Sequence, residues 1–196
     1  MMDPVLAGQI AWVVMAVGWY ILRYPFDRRA RRLDVADNRK ALGERVRMTI
    51  SLAGLGIVPA IHLATGWPAF ADRTQPALVL ALGILVAIAA LVMFRLTHKA
   101  LGAMWSVSLQ LKQEHRLVTT GVYRRLRHPM YTAFWLMALA QALLISNWLA
   151  GLAGIVGFGT LYVLRVGEEE RMMEEAFGEE YRAYSARTKR IIPFVH

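Results

Sequence analysis

The 196 residues contain no cysteine, which removes disulfides, thiolate metal sites and a cysteine nucleophile together. It also leaves the redox compartment unread. There is no G-x-G-x-x-G following a strand, no phosphate-binding P-loop and no H-E-x-x-H. A Rossmann domain is therefore not expected, and any cofactor site must be built from helix ends and loops. Acidic side chains are scarce, 14 against 23 Lys and Arg, for a net charge of +9. In a soluble protein that imbalance points to nucleic acid. Here 57% of the residues are hydrophobic and the mean hydropathy is +0.38. That is too apolar for an ordinary soluble domain, so the basic residues read as juxtamembrane Lys and Arg, with no nucleic-acid partner.

What is present in quantity is apolar sequence. A bilayer core of about 30 Å needs about 20 mostly apolar residues per helix. Five segments meet or approach this: Val5 to Tyr24, Met48 to Trp67, Pro76 to Leu96, Tyr131 to Ser146 and Trp148 to Val166. The last two are separated by so short a link that they predict a tight antiparallel hairpin. Pro59 in the second predicts a kink there. The N-terminal run follows Asp3 instead of a basic stretch and reads as a retained first span, not a signal peptide. The C-terminal "PFVH" is no prenylation signal.

Charge sets the expected topology. Nine Lys and Arg lie between Arg23 and Arg47, seven between Arg95 and Arg127 and six from Arg165 onward; only Arg73 lies on the opposite side. With five spans, 22 of 23 basic residues share one face. The positive-inside rule makes that face cytoplasmic and the N-terminus external, in a multi-pass protein of a bacterial inner membrane. The expected fold is an all-α polytopic membrane bundle of about five transmembrane helices with a cytoplasmic C-terminal helix, forming one domain over 1–196. Residues 1–100 supply three spans and the basic loop 23–47, which reads as a solvated, lipid-contacting anchor. Residues 101–196 form the chemically distinctive half. In the C-terminal block, Met172, Met173, Ala176, Phe177, Tyr181 and Tyr184 share an apolar stripe, with a bend expected near Gly178.

Two stretches gather polar groups at the basic face. In the first, Gln110, Lys112, His115, Thr119, Tyr123, Arg127 and His128 lead into the fourth span. Pro129 suits the first turn of its helix, whose unbonded N–H groups favour an anionic ligand group. The alternative is that Arg127 and His128 only reach out to headgroups. The second stretch is "RVGEEE", residues 165–170, where Arg165 and Glu169 share a helical face. It reads as a salt bridge, a charged collar or a ligand site. Three consecutive carboxylates beside an anionic leaflet need cations close by.

From about Leu101 to Pro193, the order and spacing of "LGAMWS", "HRLVTTGVYRRLRHPMYTAFWL" and "EEERMMEEAFGEEYRAYSARTKRIIPF" resemble the isoprenylcysteine carboxyl methyltransferase family of integral membrane enzymes. The pattern is shared more loosely with membrane phospholipid N-methyltransferases and sterol reductases. The resemblance implies S-adenosylmethionine as methyl donor and no metal. The implied donor contacts are Gln110, His115, Arg116, Leu117, Val118, Tyr123, His128, Pro129, Met130, Tyr131 and Glu169. Arg165, holding the acceptor carboxylate, and Glu169 are the implied catalytic pair. Ala133 stands where the family usually has Gly, and Val122 where many relatives have Pro. The implied reaction is carboxyl O-methylation of a lipophilic, isoprenylcysteine-like or prenylated acceptor drawn from the bilayer. The alternatives are methylation of a lipid amine or thiol, an NADPH-dependent membrane reductase, and a membrane scaffold without chemistry.

Overall fold

The computed structural model describes residues 3–30, 41–102 and 117–192. Among these residues six α-helices carry the architecture: α1 (Pro4–Ala30), α2 (Ala41–Leu52), α3 (Val58–Thr65), α4 (Ala77–Leu101), α5 (Pro129–Leu144) and α6 (Trp148–Arg187). Among the described residues there is no strand, only two isolated bridges. The all-α membrane bundle expected from the hydropathy is what forms.

Among the described residues, four helical stretches are long and apolar enough to cross a membrane: Pro4–Arg28, Leu42–Thr65, Ala77–Leu101 and Trp148–Arg187. Their outward residues include Leu78, Leu85, Val156 and Val163, all exposed. Such a surface belongs against acyl chains, not water. The helix α5 has only 16 residues, about 24 Å at 1.5 Å per residue, so it falls short of the ~30 Å core. Side chains finish its end. Arg73 donates to the carbonyls of Ala142 and Ile145, and Gln75 Nε2 donates to Leu143 O at 2.9 Å. Arg73, the basic residue that the charge pattern sets apart from the other 22, is thus a cap for orphan carbonyls. Asn147 completes the turn into α6: its Oδ1 accepts from Ala150 N, and its Nδ2 donates to Pro68 O and Asp72 Oδ1, both at 2.8 Å. The expected α5–α6 hairpin is realised.

The second span is irregular one turn before the predicted kink. Residues Ala53–Ile57 form a π-turn between α2 and α3, directly ahead of Pro59. A proline lacks the N–H for the preceding turn, and the wider turn absorbs that loss. The turn also brings backbone close to α6: Gly54 and Gly157 face each other where any Cβ on Gly54 would lie 2.3 Å from Ala153 O. Gln141, fully buried, ties four elements there. Its Nε2 donates to Gly54 O at 3.0 Å and Ala150 O at 2.8 Å, and its Oε1 accepts from Trp12 Nε1 at 3.4 Å.

The helix α1 packs on α4 and α5, while α2 packs on α6. The core between them is built from Trp12, Met15, Phe94, Met137 and Leu144, extended by Phe158 and Leu161. At the charged end, α6 continues past its apolar part to the expected break: Gly178 has φ 51° and ψ −123°, a conformation that favours glycine. Of the predicted stripe, Tyr181 and Tyr184 are buried, Met172, Met173 and Phe177 half-buried, and Ala176 exposed. The chain after α6 folds back along the segment before α5. Arg127 N donates to Lys189 O, His128 N to Arg190 O, and Lys189 N to Arg125 O, at 2.7, 2.9 and 3.0 Å. Thr132 Oγ1 donates to Ile191 O at 2.6 Å.

Candidate cofactor and acceptor pocket

The "RHP" stretch forms a corner. His128 is the N-cap residue of α5 and Pro129 opens its first turn, as the sequence predicts. The side chain of Arg127 does not reach outward to headgroups. It donates from Nε to Glu170 Oε1 at 3.0 Å and from one terminal nitrogen to the carbonyls of Ser185 and Thr188, each at 2.7 Å. Arg127 therefore fastens the returning chain.

The three consecutive carboxylates each find cations. Glu168 pairs with Arg47 at 3.0 Å. Glu170 meets Arg127, His128 Nε2 at 3.3 Å and Arg190 at 2.6 Å. Glu169 accepts from the Tyr131 hydroxyl, lies 3.7 Å from His128 Nδ1, and has Arg165 Nε 3.6 Å away. The expected Arg165–Glu169 pairing is present but loose. His128 and Tyr131 stack with ring centroids 5.3 Å apart.

Burial opposes charge on the His128 ring, but hydrogen bonds and attraction from Glu169 and Glu170 outweigh it and raise its pKa above the ordinary value. A raised histidine pKa stabilises the fold fully below the unfolded value, near 6.5, and that contribution fades as pH rises through the folded value. Thermal unfolding in detergent should therefore show stability falling above about pH 6.5, and His128→Gln should flatten that slope. Parallel slopes in the two proteins would refute the assignment.

These groups border a cavity of about 660 Å³. Its polar end is lined by Tyr123, Arg127, His128, Tyr131, Arg165 and Glu169. Leu117, Val118 and Met130 also line it. Its other end runs inward to Trp12, Met15, Phe94, Met137 and Phe158. Of the residues singled out from sequence, Gln110, Lys112, His115 and Arg116 lie outside the described residues. Pro129 is buried and shapes the corner without lining the cavity. Ala133, fully buried, is accommodated in the helix packing.

Sequence reasoning missed Glu44 and Arg47. Both fall in the basic loop read as a lipid anchor, yet α2 already begins at Ala41 and packs them on α6. Glu44 Oε1 is 2.7 Å from Arg165, and Arg47 spans Glu44, Glu168 and Leu164 O. Glu44 is one of four acids in that basic block, with Asp27, Asp34 and Asp37, so the sequence does not single it out; only the tertiary fold gives it a partner 121 residues away. The aromatic wall supplied by α1, Trp12 and Trp19, was also not foreseen.

Comparison with known proteins bears on this same half. The family model described as the isoprenylcysteine carboxyl methyltransferase (ICMT) family matches residues 80–175. Similar curated proteins include protein-S-isoprenylcysteine O-methyltransferase B of Arabidopsis thaliana, 29% identical over 90 residues, 46% of each chain. The human protein-S-isoprenylcysteine O-methyltransferase is 32% identical over 81 residues, 41% of this chain and 28% of that one. The fission yeast enzyme of the same name is 29% identical over 89 residues, 45% and 38% of the two chains. The matched regions thus cover less than half the length of these relatives. Residues 80–175, which contain both the corner at His128 and the Arg165–Glu169 face, are thus similar to the isoprenylcysteine carboxyl methyltransferase family.

Proposed function

We propose that this protein transfers a methyl group from S-adenosylmethionine to the carboxylate of a lipophilic, isoprenylcysteine-like acceptor, at the cytoplasmic face of the membrane. The observation that carries the reading is the two-ended cavity. Charged and aromatic groups gather at one end, and a mostly apolar wall that includes Trp12, Met15, Phe94 and Met137, with Gln141 among them, lies at the other. The concentration of Lys and Arg on the loops at the polar end supports the assigned face.

The residues fit the donor. The Glu169 carboxylate at the cavity wall suits its ammonium or sulfonium charge. The rings of Tyr123 and Tyr131, with Leu117 and Val118, offer apolar surface to adenine. Arg165 lines the cavity beside Glu169, with Nε 3.6 Å from Glu169 Oε2, which puts a guanidinium at the cavity wall. The bound donor supplies an electrophilic methyl group; the remaining work is positional. An acceptor carboxylate is already ionised near neutral pH, so no general base is required. Arg165 orients it through a charge-assisted fork. The buried walls exclude water and hold the acceptor in line.

Calorimetric binding of S-adenosylhomocysteine to detergent-purified protein, beside a Glu169→Ala variant, tests the reading. Micromolar binding that weakens at least tenfold, about 1.4 kcal/mol, is expected. A monodisperse wild-type protein that binds NADPH and ignores S-adenosylhomocysteine would replace the methyltransferase with a reductase.

A further inference from the structure

We infer that Glu44 is a positioning residue for the acceptor: it pairs with the Arg165 guanidinium from outside the cavity and so fixes how that guanidinium is presented to the acceptor carboxylate. The inference rests on the proposed role of Arg165. Glu44 is a carboxylate on α2, only 7% exposed, 2.7 Å from one terminal nitrogen of Arg165. Arg165 lines the cavity and Glu44 does not. The guanidinium is thus ion-paired through one terminal nitrogen with a carboxylate outside the cavity lining, while Nε lies 3.6 Å from Glu169 Oε2.

A guanidinium is planar and presents its donors in a fixed fork, so anchoring one nitrogen sets the direction of the others. Without Glu44 the side chain is free to turn onto Glu169, now 3.6 Å away. That closer pair would occupy the donors an acceptor needs. Arg47 steadies the arrangement, lying 3.4 Å from the second oxygen of Glu44 and 3.0 Å from Glu168. Glu44 therefore sits between two cations, and an incoming carboxylate meets an arginine whose charge is only partly compensated. The N-terminal half of the chain, outside the region the family model matches, would in this way tune the acceptor side of the site.

The test uses wild type, Glu44→Ala and Glu44→Gln in detergent, with N-acetyl-S-farnesylcysteine as acceptor and its carboxamide as a non-reacting ligand. In Glu44→Ala, kcat/KM for the carboxylate should fall at least tenfold. The preference for carboxylate over carboxamide binding should collapse, while S-adenosylhomocysteine affinity stays within about twofold. Glu44→Gln keeps an oxygen for the guanidinium and should recover part of the loss. A purely structural role for Glu44 would weaken donor and acceptor binding together and leave the carboxylate preference intact, which would overturn the inference. So would full activity in both variants. If Glu44→Ala does not fold, the Gln variant alone decides through the same preference. A wild-type protein that neither binds S-adenosylhomocysteine nor methylates the probe would instead refute the methyltransferase reading itself.

Discussion

Arg127→Ala should release the returning chain from the corner before α5 and lower stability by about 3 kcal/mol, the lower end for breaking a buried ion pair by removing one partner. Three hydrogen bonds disappear together, one to Glu170 and two to the carbonyls of Ser185 and Thr188. Glu170 keeps Arg190 and His128, which is why the loss is not larger. For a chain of this size the melting temperature should fall by about 6–12 °C. The backbone pairing of Arg127 and His128 with Lys189 and Arg190 holds the wall that carries His128. Affinity for S-adenosylhomocysteine should therefore drop with stability. Arg124, exposed in the same short turn, is the control; its alanine variant should change stability by less than about 0.5 kcal/mol. Equal melting temperatures for the two variants would show that Arg127 is only a surface charge.

Gly54→Leu is expected to be more severe and to abolish the folded bundle. A Cβ at Gly54 would lie 2.3 Å from Ala153 O and 3.0 Å from Gly157 Cα. Both are backbone atoms, so no rotamer change relieves the clash and α2 must move off α6. Overpacking that side chains can absorb costs roughly 1–3 kcal/mol; here the hydrogen bond from Gln141 to Gly54 O is lost as well. The displacement would also separate Glu44 from Arg165, so any residual protein should lose acceptor methylation before donor binding. Gly167 makes the contrast. It is exposed on α6 with nothing within 4 Å of its would-be Cβ. Gly167→Ala should be neutral or stabilising by up to about 1 kcal/mol through reduced backbone entropy. Monodisperse, ligand-binding Gly54→Leu protein on size exclusion would refute the close crossing.

Hydropathy and charge by themselves determined the fold class. Apolar runs of span length, separated by basic blocks, leave a helical membrane bundle because backbone polar groups in hydrocarbon must bond within their own helix. Local signals were equally direct at Pro129, Gly178 and the α5–α6 turn, where a missing N–H, a positive φ and a capping Asn act over a few residues. The pairing of Arg165 with Glu169 followed from their spacing of four. The tertiary structure alone decided the rest. It turned Arg127 inward onto carbonyls 58 and 61 residues away. It made Arg73 a helix cap instead of a stray charge, and it gave Glu168 the cation of Arg47 while Glu169 and Glu170 share His128 beside Arg165, Arg127 and Arg190. It also drew Glu44 out of a presumed lipid anchor to grip Arg165. These contacts join residues far apart in the chain, and sequence periodicity reports only which face a residue occupies, not which distant group will meet it there.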